Sequence, residues 1–70
     1  MSLCDGKKSW PELVGKHGKA AEETIEREVP WVNAKVVQEG TTFVTADYRC
    51  DRVWVWVNKH GFVTRIPIIG

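Results

Sequence analysis

The sequence predicts an α+β domain, an open α/β sandwich of one principal helix on a small mixed sheet, with a long exposed loop between two strands. Three observations predict it. Apolar residues recur at helical spacing at Ala21, Ile25 and Val29, among positions that are otherwise mostly charged. Residues 52–58 alternate instead, with Val53, Val55 and Val57 on one face and Trp54 and Trp56 on the other. The chain has 70 residues, 43% of them hydrophobic and 27% charged, which suits one folded domain over residues 1–70 and not a disordered segment.

Taken in order, Ser9-Trp10-Pro11-Glu12-Leu13-Val14 reads as a short helical turn, with Ser9 as its cap, Glu12 three residues on, and the proline tolerated early. The principal helix covers residues 19–29. Glu22, Glu23, Glu26, Arg27 and Glu28 fall on its wetter positions, a solvated face to which a Glu23–Arg27 pair adds slight support. Pro30 ends it. Residues 34–38 read as a first strand and 52–58 as a second. The turn Asn58-Lys59-His60-Gly61 then leads into an antiparallel hairpin partner over 62–66, and Pro67 confines the last segment to an edge. The helix covers one sheet face. Trp10 belongs in the core, while Trp54 and Trp56 cover the second face.

Composition excludes several classes of function. Ten basic residues against nine acidic ones leave a net charge of +1, and the basic residues are scattered, so neither a nucleic-acid nor a membrane field is implied. No apolar run approaches the roughly 18 residues of a bilayer span, and the opening Met-Ser-Leu-Cys-Asp-Gly-Lys-Lys lacks the apolar core of a secretory signal. His17, His60, Cys4 and Cys50 show no paired short spacing of the kind that holds zinc. Ser2 and Ser9 sit in no nucleophile elbow. Neither an enzyme nor a cofactor is expected.

A chain this short buries only about 60% of its unfolded surface, which gives weight to its two cysteines. A bridge between Cys4 and Cys50 would close a loop over about two thirds of the chain and contribute about 4 kcal/mol by loop-closure entropy. Two reduced, partly buried thiols in a cytosolic setting are the other reading. Both stand on the residues alone, with the small core leaning toward the bridge. The bridge would favour an extracellular or vacuolar location, the free thiols a cytosolic one.

About ten residues between the two strands carry no helical pattern, and such loops in compact domains are uncommon unless functional or disordered. After Gly40, this one holds Phe43, Val44, Thr45, Ala46 and Tyr48, which are β-branched, aromatic or small and favour an extended backbone. Such a segment suits the edge of a partner's sheet or a protease cleft. Alternatively, Phe43 and Val44 tuck into the core and only a short turn is exposed. The four tryptophans, Trp10, Trp31, Trp54 and Trp56, allow a further reading, a non-inhibitory binding module that uses the loop or exposed indoles.

From Cys4 to Gly70 the chain resembles the potato inhibitor I family of serine protease inhibitors. The resemblance is carried by Cys4, Trp10-Pro11-Glu12-Leu13-Val14-Gly15, Ile25-Glu26-Arg27-Glu28, Gly40, Thr45, Asp47-Tyr48-Arg49-Cys50-Asp51-Arg52-Val53, Gly61, Pro67 and Gly70. It implies a substrate-like inhibitor whose scissile bond is Ala46–Asp47, with Phe43, Val44, Thr45, Tyr48 and Arg49 contacting the protease. It also implies loop support from Arg52, Trp54 and Gly70, a Cys4–Cys50 disulfide, and a role in plant seed or wound defence. Attack on the Ala46 carbonyl stalls when the loop is rigid and the leaving amine of Asp47 stays nearby, so religation competes with hydrolysis. Arg52 is expected to hold Thr45 and Asp47.

The chain departs from the family pattern in two places. Trp54 stands where many members carry a second supporting arginine, and the loop is one residue longer before Ala46, with Thr42 or Phe43 as the extra residue. The single methyl of Ala46 suits elastase-like and subtilisin-like enzymes, with chymotrypsin-like ones as further partners. It would leave the acidic floor of a trypsin pocket unpaired. Arg49 is the rival residue for a trypsin-type bond, and the protein is expected as a monomer.

Overall fold

The computed structural model describes residues 6–40 and 47–70 of the chain. A 3-10 turn at Pro11–Leu13 precedes helix α1, Gly18–Glu28, and three strands follow: β1 Asn33–Gln38, β2 Arg52–Val57 and β3 Ile68–Ile69. The sheet order is β1-β2-β3, with β1 parallel and β3 antiparallel to β2. This is the predicted α+β arrangement of one helix on a small mixed sheet.

Helix α1 buries Ala21 and Ile25, and Val29 at its C-cap is buried as well, so the apolar stripe read from the sequence is the face that packs. It meets Val53, Val55 and Val57 of β2, which point inward in strict alternation. Trp10 is fully buried in this core, and its indole Nε1 donates to Glu28 at 3.0 Å. The helix begins at Gly18, whose N–H donates to the Gly61 carbonyl at 2.8 Å. A Cβ at Gly18 would lie 2.7 Å from Val57 Cγ1 and 3.0 Å from Val36 Cγ1, so the helix approaches the sheet at a distance only glycine permits.

Three local expectations change. Ser9 does not cap the first turn: Pro11 takes the first helical position, which leaves Trp10 in the capping place, and no side chain caps it. Ser9 instead bridges Ile68.

Residues 62–66 do not form a second hairpin strand. The Asn58–Gly61 turn closes, with Asn58 Oδ1 accepting from the amides of His60 and Phe62, but pairing reduces to a single Val57–Val63 bridge. Val63 commits its own N–H to Lys16 O and its carbonyl to Gly15 N, so the segment shares its hydrogen bonds with residues 15–16. Pairing with β2 resumes past the buried Pro67, at Ile68–Ile69. Residues 8–10 cover the outer side of this short edge strand, with Ile69 N donating to Lys8 O and Trp10 N to Pro67 O.

The helix charges are also more engaged than a solvated face. Glu26 accepts the Ala34 amide of β1 at 3.0 Å, while Glu28 takes Lys7 and Trp10. The Glu23–Arg27 pair does not close among the ion pairs of the described residues.

The parallel pairing of β1 with β2 accounts for the long connection. Two parallel neighbours need a crossover, because the chain must return to the starting end of the sheet. The connection runs from residue 39 to residue 51, and its described residues, 39–40 and 47–51, hold no helix. The length of the loop is thus set by topology before any function is considered.

Candidate functional site

The returning leg of the connection is held from below by Arg52, the first residue of β2. Its Nη2 donates to the Asp47 carbonyl at 2.8 Å, and its Nη1 lies 3.6 Å from Asp47 Oδ2. The same guanidinium donates through Nε to Gly70 O at 2.9 Å, while Gly70 N donates back to Arg52 O at 2.8 Å. It also lies 4.6 Å above the ring of Trp54. Only 11% of the Arg52 side chain is exposed, against 55% for Asp47. A planar cation fixed on an indole and on the Gly70 carbonyl therefore presents further donors to Asp47.

Between Asp47 and Arg52 the chain passes from exposed residues at 47–49 to half-buried ones at 50–52. Tyr48 is 68% exposed. Arg49 is tied to Asp51 through two parallel hydrogen bonds, Nε to Oδ1 at 3.1 Å and Nη2 to Oδ2 at 3.0 Å. This pairing holds the Asp51 carboxyl below its ordinary range and raises the Arg49 guanidinium. Cys50 is half-buried against the core, and the Asp51 carbonyl accepts from Asn33 N at 2.8 Å, locking the leg to β1.

The outgoing leg has its own attachment. Glu39 N donates to Val57 O at 2.9 Å, and the Glu39 carboxylate accepts from the Thr64 hydroxyl and pairs with Arg65 Nη2 at 2.6 Å. The Arg65 guanidinium lies 4.6 Å from the Trp56 ring. The Thr64 hydroxyl and then Arg65 hold the Glu39 carboxyl below its ordinary range. Gly40 follows at φ +84°, a left-handed turn at which the chain leaves the sheet. Glu39, Thr64 and Arg65 escape sequence reasoning because they share no motif. They meet only because Glu39 continues β1 beyond Val57, and the Val57–Val63 bridge brings residues 64–65 to the other side of β2.

The structure thus brings together Asp47, Arg52, Trp54 and Gly70 from the sequence-predicted set, and sets Tyr48 and Arg49 on the outside of the same leg. Phe43, Val44, Thr45, Ala46 and Cys4 lie outside the described residues, as do Thr42 and the question of the extra loop residue. Trp54 and Trp56 are half-buried under guanidinium groups, not open platforms for bases or sugars. Among the described residues no group of three His, Cys, Asp or Glu side chains could hold a metal ion, and no helix is long and apolar enough to cross a membrane.

Residues 4–70 match the model of the Potato inhibitor I family. The chain belongs to this family. Its members here are inhibitors of proteases and not enzymes. The chain is 58% identical over 69 residues to the Glu S. griseus protease inhibitor of Momordica charantia, covering 99% of this chain and all of that one. It is 53% identical to the trypsin/subtilisin inhibitor of Amaranthus caudatus over 64 residues, 91% of each chain. The crystal structure of bitter gourd trypsin inhibitor superposes with a TM-score of 0.93 at 54% identity, covering 99% of this chain and all of that one. Potato inhibitor I membership and the shared fold thus rest on nearly the full length of the chain.

Proposed function

We propose that the protein is a substrate-like serine protease inhibitor whose scissile bond is Ala46–Asp47, with elastase-like and subtilisin-like enzymes as its targets. The observation that carries this reading is the grip of Arg52 on Asp47. In a substrate, cleavage is driven to completion because the leaving amine diffuses away. Here the residue that bears that amine is held at its own carbonyl by a guanidinium anchored on Gly70 and Trp54. The amine then stays within reach of the acyl group on the protease, and religation competes with hydrolysis. A loop fixed before binding also loses little conformational freedom when it docks, so less of the interaction free energy is spent on ordering it.

Ala46 sets the selectivity. Its methyl fills a shallow primary pocket and leaves the acidic floor of a trypsin pocket without a partner. Arg49 does not serve as an alternative primary residue, since its guanidinium is occupied by Asp51. Phe43, Val44, Thr45 and Tyr48 flank the bond and contact the enzyme, Trp54 and Gly70 support Arg52, and Cys4 pairs with Cys50 to tie the N-terminal segment to the loop's returning leg. An intact mass two hydrogens below that of the dithiol tests the pairing.

The experiment for the whole reading is parallel inhibition of elastase, subtilisin, chymotrypsin and trypsin by the wild type and by Ala46→Lys. The expected outcome is tight inhibition of the first two by the wild type, a slow nick at Ala46–Asp47, and trypsin inhibition gained by Ala46→Lys. An unchanged target profile in the variant would reject the bond assignment.

A further inference from the structure

We infer that Glu39 is a positioning residue of the inhibitory loop, fixing its outgoing leg through Thr64 and Arg65 as Arg52 fixes its returning leg; the inference rests on the loop reading proposed above. A segment held at one end only can swing about that end, so a grip on Asp47 by itself does not set where the preceding residues lie. Rigidity of the whole loop requires a second fixed point.

Glu39 supplies that point with both backbone and side chain. Its amide is bonded to Val57 O at 2.9 Å, and its carboxylate reaches across the end of β2 to the Thr64 hydroxyl and to Arg65 Nη2 at 2.6 Å. The next residue, Gly40, carries the left-handed turn at φ +84°, so the orientation of Glu39 sets the direction in which the chain departs. The two legs are built alike. Trp54 and Trp56 alternate along β2, each has a guanidinium centred 4.6 Å from its ring, and each guanidinium holds one leg: Arg52 takes Asp47, and Arg65 takes Glu39. Stacking reduces the freedom of Arg65 before it meets the carboxylate, so the ion pair costs less side-chain entropy than an unconstrained surface pair.

The test compares wild type with Glu39→Ala, Glu39→Gln, Thr64→Val, Arg65→Ala and the double variant Glu39→Ala/Arg65→Ala. Three quantities are read: the inhibition constant for subtilisin and elastase, the equilibrium ratio of cleaved to intact inhibitor with each enzyme, and the urea midpoint of the free protein. Removing a half-buried carboxylate that accepts from two donors should raise the inhibition constant about threefold to tenfold and move the ratio toward the cleaved form by a similar factor. Glu39→Gln, which keeps an acceptor for Thr64, should recover part of that loss. The double variant should lose no more than the worse single one, because both substitutions remove the same contact.

A merely structural role would lower the urea midpoint and leave the cleaved-to-intact ratio in place. That result, or a wild type that inhibits while all variants inhibit equally well, overturns the inference. A wild type that inhibits none of the four proteases overturns the loop reading and the inference with it, and is distinguished by failing before any substitution is made.

Discussion

Truncation of Arg52 separates its two duties, because one side chain joins the fold and the loop. The guanidinium makes two short hydrogen bonds to carbonyl oxygens, Gly70 O at 2.9 Å and Asp47 O at 2.8 Å, and lies 4.6 Å from the Trp54 ring. Hydrogen bonds to charged groups are worth about 1.5–3 kcal/mol each, and the ring contact adds about 0.5–2 kcal/mol. Water reaches the Asp47 end, where the side chain is 55% exposed, and discounts that bond. Arg52→Ala is therefore expected to lose about 2–3 kcal/mol of fold stability, mainly from the Gly70 and Trp54 contacts, and about tenfold in inhibition, equivalent to about 1.4 kcal/mol, from Asp47. For a domain of this size, with a urea dependence of about 1 kcal/mol/M, the midpoint should fall by about 2–3 M. Tryptophan fluorescence during urea titration reads the first effect and the inhibition constant the second. Arg52→Lys should fall between, since an ammonium keeps the charge but cannot span both carbonyls while lying flat on the indole. A midpoint within about 0.3 M of wild type together with an unchanged inhibition constant would refute the reasoning.

Gly18→Ala should destabilise the domain by about 1–3 kcal/mol, because its Cβ would sit 2.7 Å from Val57 Cγ1 and force either the helix or the strand to move. A thermal midpoint equal to or above wild type would show that the helix shifts freely at this contact. Stability should also fall in acid: Glu12, Glu39 and Asp51 have folded-state carboxyls lowered by Lys7, Thr64 and Arg49 respectively, so their contribution is present above the ordinary carboxylate range and lost as pH drops through and below it. Lys7 acts in the opposite sense, its raised ammonium contributing until pH climbs beyond the ordinary lysine value. Thermal midpoints between neutral pH and about pH 2 check the acid limb, and a midpoint that rises on acidification would contradict it.

Much of the fold was legible because hydrophobic periodicity and burial had the same cause. Ala21, Ile25 and Val29 in the helix and Val53, Val55 and Val57 in β2 are buried as their spacing requires. The reading failed where backbone hydrogen bonds, not side chains, decided. Residues 62–66 have strand composition, yet Val63 gives its amide and carbonyl to residues 15–16, a partner that no local pattern announces. In the candidate site, Arg52 was singled out through the family motif, and it contacts Asp47 at 2.8 Å and Gly70 at 2.9 Å. Glu39 was not, since its partners lie 25 and 26 positions away in the chain and meet it only across β2.

The parallel pairing of β1 and β2 is the physical link between these successes and failures. It obliges the chain to travel the length of the sheet between Gln38 and Arg52, and so creates a long connection whatever its sequence. A connection of that length would ordinarily be costly to hold in one shape. What distinguishes this one is that both of its ends meet guanidinium groups set on the outward tryptophans of β2, the strand whose other face is the valine core. The alternation that buries Val53, Val55 and Val57 is the same alternation that aims Trp54 and Trp56 at the arginines. Packing of the core and anchoring of both ends of the connection are thereby written into one six-residue strand, and a substitution that disturbs the register of β2 should weaken both together.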